Sequence, residues 1–356
     1  MRGSPALLRD AGDLDNPVLS LVASRVQDGS RPGTRSDGRV LALAVEGGGM
    51  RGAVSSGMCV VLEAAGLLPA FDRIYGTSAG ALNGAAIAAG QAAMSSTHYQ
   101  EAALRRVIYP LRALRRRPII DFDLMFGEVI ARRRPLSWEA FSAGPDFSAL
   151  ATSLETGSLA VLRSFTDLDE LMLAVRASAS VPVMCGHPPA FRGERLADGG
   201  LIEPIPYETA LREGASDVLV LRTRPAADRK RAPAEVAERL VMRTAEPVRT
   251  LLREQAGRYN RQADELQAGN PHISQVAVPE GTRLIRRFER DSGRVVEALR
   301  LGAAAMAAAV LSDPIELRWQ PVAYRAPAVG AGEAESFAPR LDAVRRGVDA
   351  AGALVR

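Results

Sequence analysis

An α/β fold built on a mainly parallel central sheet is predicted by three features of the sequence. The run Val40-Leu41-Ala42-Leu43-Ala44-Val45 is continuously apolar, as in a strand covered on both faces, and Asp217-Val218-Leu219-Val220-Leu221 repeats the pattern. The first run and the β-type pair Ile74-Tyr75 each pass through a glycine-rich turn directly into a helical pattern, the order from which α/β layers are built. With 356 residues, 47% of them hydrophobic, the chain can bury one large core.

Taken in order, residues 1–39 mix Gly, Ser, Pro, Asp and Arg without periodicity, and Gln27 to Gly38 reads as a linker; only Val18 to Val26 has helical character. Residues 40–225 carry the patterned core. The first strand enters Glu46-Gly47-Gly48-Gly49-Met50-Arg51-Gly52 and a helix follows from Ala53 to Ala65, stopped by Gly66. Ile74-Tyr75 enters Gly76-Thr77-Ser78-Ala79-Gly80 and then an Ala-rich helix to Ala89. Leu104, Ile108, Leu111 and Leu114 lie at helical spacing in an arginine-rich stretch, with Pro110 kinking it. Phe147 to Leu154 reads as a strand, Asp167 to Ser178 as a helix capped by Thr166, and Arg195-Leu196-Ala197 as a short strand leading to Asp198-Gly199-Gly200. A helix over Tyr207 to Arg212 precedes the strand at Asp217. Residues 226–311 form a C-terminal extension packed on the core: a helical stretch from Pro233 to Gln267 interrupted at Pro247, a strand from Ile273 to Val278, and a helix from Ser292 to Leu311. Residues 312–356 are a Pro- and Ala-rich tail ending in a helical stretch, Phe337 to Val355.

Composition narrows the functions. Two cysteines, Cys59 and Cys185, make no disulfide framework, and no Cys/His spacing forms a zinc site, so a reducing, cytoplasmic setting and no metal are expected. No signal-peptide pattern opens the chain, and no apolar run approaches the ~20 residues of a membrane span. Net charge is +4 and aromatic content 5%, without the basic patch and aromatic interleaving that nucleic acid requires.

The chemistry concentrates in two turns. In Gly76-Thr77-Ser78-Ala79-Gly80 the serine occupies the corner between strand and helix, where flanking glycines avoid collisions and the helix N-terminus favours developing negative charge. Five small residues in a chain of 32 glycines also read as an ordinary turn. Glu46 to Gly52 supports two readings. As G-x-G-x-x-G it is a dinucleotide fingerprint, with Asp72 about 20 residues further on; as a run of three glycines it offers the Gly48 and Gly49 N–H groups to an oxyanion, with Arg51 fixing the loop or its charge. Asp72 precedes Ile74-Tyr75 instead of ending a strand, which speaks against the first.

Those two motifs, followed by Arg176-Ala177-Ser178-Ala179-Ser180-Val181-Pro182 and by Asp198-Gly199-Gly200, resemble the patatin-like phospholipase family over Val40 to Pro225. The resemblance implies a three-layer α/β/α sandwich and a Ser78-Asp198 dyad working without histidine. It also implies an oxyanion hole from Gly47, Gly48, Gly49, Met50, Arg51 and Gly52, an elbow from Gly76, Thr77, Ala79 and Gly80, and support of the dyad turn by Gly199 and Gly200. No cofactor is implied. Glu46 stands where the family often has Asp.

The substrate implied by the resemblance is a lipid ester, hydrolysed through an acyl-enzyme. The arginine-rich insertion, Arg105 to Arg117 and Arg132 to Arg134, reads either as a peripheral contact with anionic membrane or as a solvated helix face. Two rival functions stand beside the hydrolase: a non-catalytic lipid-binding or regulatory protein on the same fold, and a histidine-dependent esterase. Of the three histidines only His272 follows Asp198, and it carries no motif.

Overall fold

Alternate residues of the central strands face two different cores, and that alternation sets the layers. The computed structural model describes residues 16–99, 107–109, 112, 118–133, 135–182, 184–231 and 246–311. Its principal elements are α1 (Pro17–Gln27), β1 (Leu41–Val45), α2 (Gly52–Ala64), β2 (Arg73–Thr77), α3 (Ala79–Ala88), β3 (Asp146–Ser153), β4 (Leu159–Leu162), α4 (Leu168–Ala179), β5 (Ala190–Phe191), β6 (Glu194–Asp198), α5 (Tyr207–Arg212), β7 (Asp217–Leu221), α6 (Glu246–Ala268), β8 (Ile273–Val276) and α7 (Ser292–Val310). On β1, Leu41, Leu43 and Val45 pack with residues of α1, α2, α3, α4 and α7, whereas Ala42 and Ala44 pack with Tyr207 of α5 and Tyr259 of α6. Helices therefore cover both faces, giving three layers around a sheet ordered β5-β6-β3-β2-β1-β7-β8, with β4 paired to β3.

The centre of the sheet is parallel: β1 pairs with β2 and β7, β2 with β3, and β7 with β8. Its β3 margin is antiparallel, through β4, β6 and β5. Because β1 and β2 are parallel neighbours, the turns that leave them emerge side by side at one end of the sheet, where open α/β sheets bind ligands. Both glycine-rich motifs lie there.

The stretch from Gln27 to Gly38 is held to the body, since Arg35 donates to Asp72 at 2.8 Å and to the Pro69 carbonyl at 2.6 Å. The cap of α4 is Asp167 rather than Thr166: its carboxylate accepts from the Glu170 N–H at 2.8 Å, while the Thr166 hydroxyl bonds Glu170 Oε2. Helix α6 contains Pro247, and the stretch before Glu246, on the far side of the expected interruption, lies outside the described residues. Val107 is helical, whereas Ile108 pairs with Ile120 in an isolated antiparallel bridge and is not part of a helix. Leu104, Pro110, Leu111, Leu114, residues 233–245 and residues 312–356 lie outside the described residues.

Of the arginines in the expected membrane contact, Arg112 pairs with Asp121 at 3.0 Å and Arg132 with Glu128 at 2.7 Å. Exposed pairs of this kind contribute ~0–1 kcal/mol. Arg105, Arg106, Arg115, Arg116, Arg117 and Arg134 lie outside the described residues, as does the Arg133 side chain. Among the described residues no helix is long and apolar enough to cross a membrane.

Candidate active site

Ser78 occupies the corner after β2 with φ 58° and ψ −124°, a left-handed backbone that an L residue adopts only under constraint. The constraint is the packing of its flanking glycines. A Cβ on Gly80 would stand 2.1 Å from the Val45 carbonyl oxygen, and one on Gly76 would stand 2.5 Å from the Gly80 carbonyl oxygen. Thr77 anchors the strand side by donating to the Glu203 carbonyl at 3.0 Å, and Ala79 opens α3. The Ser78 N–H is held by Ser178 Oγ at 2.9 Å, whose own hydroxyl donates to the Leu150 carbonyl at 2.5 Å. Ser178 thus connects the Arg-Ala-Ser segment to the elbow.

Sheet register brings Asp198 to this corner. Thr77 pairs with Leu150 on β3, and the next residue of β3, Ala151, pairs with Asp198 at the end of β6. Ser78 and Asp198 therefore come level on opposite sides of β3, and the Asp198 carboxylate is buried within reach of the Ser78 side chain, which acts to lower its pKa. The carboxylate accepts from the Gly200 N–H at 2.7 Å. Burial pushes the Asp198 pKa above the usual carboxylate range; Ser78, the bond from Gly200, and then the charges of Arg287 and Lys230, oppose it. Gly199 lies so close to β3 that a Cβ would be 2.1 Å from the Leu150 carbonyl oxygen.

Helix α6 braces this turn from below. Gln255 Nε2 donates to the Gly200 carbonyl at 2.6 Å, and Arg258 donates to the Leu201 carbonyl at 2.9 Å. The sequence holds no signal for either contact, because both partners are ordinary polar residues on a charged helix.

The loop after β1 divides by what its N–H groups do. Gly47 donates to the Pro204 carbonyl at 3.3 Å, Met50 to the Arg287 carbonyl at 2.9 Å and Arg51 to the Gly48 carbonyl at 3.3 Å. Gly52 turns back onto Gly49 and Met50. Of the six expected positions, Gly48 and Gly49 alone have N–H groups with no acceptor among the described residues. Gly49 has φ 60°, and a Cβ there would meet the Arg287 carbonyl oxygen at 2.8 Å. Glu46 lies behind the loop, fully buried, accepting from Arg222 Nε at 3.1 Å and from the Thr223 N–H at 2.7 Å. The buried Nε of Arg51 has no hydrogen-bond partner among the described residues, and burial, then Arg224 and Arg287, lower its pKa to about 10.

Between the elbow and the loop opens a cavity of about 1080 Å³ reaching Ser78 and Asp198. Leu82, Ile120, Phe122, Met125, Phe126 and Val175 supply much of its apolar wall. Several of these come from the insertion between α3 and β3, which turns apolar side chains inward. The volume lies just above the ~300–1,000 Å³ of small-molecule sites.

Other residues weighed from sequence lie elsewhere. Asp72 precedes β2 at the opposite end of the sheet and is bonded by Arg25, Arg35 and the Leu41 N–H, so it is not the ribose-binding acid of a dinucleotide site. His272 is at that end too, with Nδ1 3.1 Å from Asp217 Oδ1. His98 and His187 line the cavity, yet among the described residues the hydrogen bond on the Asp198 carboxylate comes from the Gly200 N–H. Among the described residues no cluster of three or more His, Cys, Asp or Glu could hold a metal.

Comparison with known proteins adds the following. A family model described as Patatin-like phospholipase matches residues 43–211. The uncharacterized protein YjjU of Escherichia coli (strain K12) is 30% identical over 194 residues, covering 52% of each chain. Patatin-like phospholipase domain-containing protein 2 of Homo sapiens is 28% identical over 156 residues, 42% of this chain and 30% of that one. The chain thus spans about half, or less, of the length of these curated relatives. The structure of human GIVD cytosolic phospholipase A2 with methyl gamma-linolenyl fluorophosphonate aligns over 94% of this chain and 63% of that one, at 12% identity and a TM-score of 0.41.

Proposed function

Starting from residues 43–211 as a member of the patatin-like phospholipase family, we propose that the chain is a lipid acyl hydrolase in which Ser78 is the nucleophile and Asp198 its base. The observation that carries this is a strained-corner serine set level with a buried carboxylate whose pKa it acts to lower, beside two backbone N–H groups with no acceptor among the described residues, in an apolar cavity. Asp198 takes the hydroxyl proton as Ser78 Oγ attacks the ester carbonyl carbon. The Gly48 and Gly49 N–H groups receive the resulting oxyanion. Collapse breaks the bond to the alcohol, which leaves with the proton from Asp198, and an acyl-serine remains. Water then attacks with Asp198 again accepting the proton, and the second collapse returns it to Ser78.

A carboxylate is a weak base at its ordinary pKa of ~4. Burial of Asp198 raises its basicity in the direction the step requires. The apolar wall accommodates the acyl chain.

A fluorophosphonate ester tests the assignment directly. It should phosphonylate one residue, and peptide mapping should place it at Ser78; an unlabelled chain favours the non-catalytic lipid-binding alternative, and a label on another serine removes the dyad. Gly49→Ala should lower kcat by about 10²- to 10³-fold, the cost of one misplaced oxyanion donor. Its Cβ must displace the Arg287 carbonyl or the loop. Circular dichroism should remain that of the parent, and undiminished kcat would show that the loop does not hold the oxyanion.

A further inference from the structure

Next to the apolar cavity lies a second one, of about 570 Å³, with a wall of opposite character. Its charged lining consists of Arg51, Arg224, Arg229, Lys230, Arg231 and Arg287 against one carboxylate, Asp228. That carboxylate is already paired with Arg224, and Arg229 is paired with Asp264 outside the lining at 2.8 Å. Among the described residues no carboxylate forms an ion pair with Arg51, Lys230 or Arg287. The buried Nε atoms of Arg51 and Arg224 have no acceptor among the described residues. Lys230, Leu252, Gln255 and Arg287 line both cavities, so one layer of side chains separates the cationic chamber from the space around Ser78.

Like charges gathered without counter-charge are unfavourable, and buried donors without acceptors add to the cost. A group bearing several anionic oxygens relieves both at once. Arginine forks suit it, and a lysine adds a compact point charge. Lys230 is the chain's single lysine among 45 basic residues. Burial, then Arg287, with smaller contributions from Arg224 and Arg51, lowers its pKa well below the ordinary lysine value against the opposing charge of Glu46. Five of the six cations, Arg224, Arg229, Lys230, Arg231 and Arg287, lie beyond residues 43–211, so the chamber is assembled largely by the C-terminal part of the chain.

We propose that this chamber binds a phosphate group, through Arg51, Lys230 and Arg287, beside the acyl cavity. Carried by a lipid headgroup, that phosphate would make the substrate a phosphate-bearing acyl ester, an assignment that rests on the hydrolase proposed above; carried by a free ion, it would be a ligand of its own.

Two arms test it on the full chain. In the first, an amine-selective acylating reagent is followed at Lys230 by peptide mapping, with inorganic phosphate or chloride at equal ionic strength. Phosphate should slow modification about 10-fold or more, and chloride should not; Lys230 is the only lysine, so the readout needs no activity. In the second, KM is compared for phosphatidylglycerol and for diacylglycerol with the same acyl chains in mixed micelles. Lys230→Met and Arg287→Gln should each raise the ratio of the first KM to the second by about 10- to 100-fold, the weight of a charge-assisted hydrogen bond. Protection with a shifted ratio assigns the phosphate to the lipid headgroup. Protection with an unshifted ratio assigns it to a free ion. Absence of protection together with an unshifted ratio overturns the site. Should neither lipid be hydrolysed, the hydrolase proposal fails and the protection arm alone decides this one, with no protection refuting it.

Discussion

Replacing Ser78 by alanine should lower turnover of a fatty-acyl ester by about 10⁶-fold, the scale on which loss of a nucleophile is felt in serine hydrolases. The corner itself should persist. Its geometry is imposed by Gly80 against the Val45 carbonyl, by Thr77 on Glu203 and by the Ser178 hydroxyl on the Ser78 backbone N–H, none of which needs the Ser78 hydroxyl. The expected result is therefore loss of kcat and of fluorophosphonate labelling with an unchanged circular dichroism spectrum. Ester hydrolysis retained at more than a small fraction of the parent rate would end the assignment.

Asp198→Asn should be nearly as severe, about 10⁴-fold or more in kcat, because an amide keeps the shape and can accept the Gly200 N–H but takes no proton from Ser78. The parent should show an acid limb in kcat/KM above the ordinary carboxylate range of ~4, since burial raises the Asp198 pKa and the free enzyme must hold it ionised. The same shift has a consequence for stability. A folded-state pKa above the unfolded one favours the protonated native form; its contribution is complete below the unfolded value and is lost as pH rises through the folded value. At neutral pH the parent thus carries a buried carboxylate at some cost, and the asparagine variant should have the higher Tm. The gap should close as pH falls below ~4. An acid limb at or below that value, or a lower Tm for the variant at neutral pH, would contradict the raised pKa.

The turn around Ser78 was legible because its cause is local. A strand running through Gly76-Thr77-Ser78-Ala79-Gly80 into an Ala-rich helix can make few other turns, because close packing leaves no room for side chains on either flank of the serine. The three-layer arrangement was legible for a related reason: β1 and β7 read as buried on both faces and are. The cap of α4 was misread by one residue, since Thr166 and Asp167 both suit the role and only the backbone geometry chooses between them. Ile108 had helical spacing, but it pairs with Ile120 in an antiparallel bridge, a long-range contact that no periodicity describes.

What the sequence determined by itself was the set of short-range facts: which segments are strands, where glycine is obligatory, and which serine stands on a strained corner. Tertiary structure decided the rest. The pairing of β3 with both β2 and β6 brings Asp198 level with Ser78, and the carbonyls of Pro204 and Arg287 occupy the neighbouring N–H groups, leaving those of Gly48 and Gly49 open. Arg51, Lys230 and Arg287 likewise meet at one cavity only after the chain has folded. Backbone conformation is governed by atoms within a few residues, whereas hydrogen-bond partners and local charge depend on segments far apart in the chain, whose meeting is set by sheet register and helix packing.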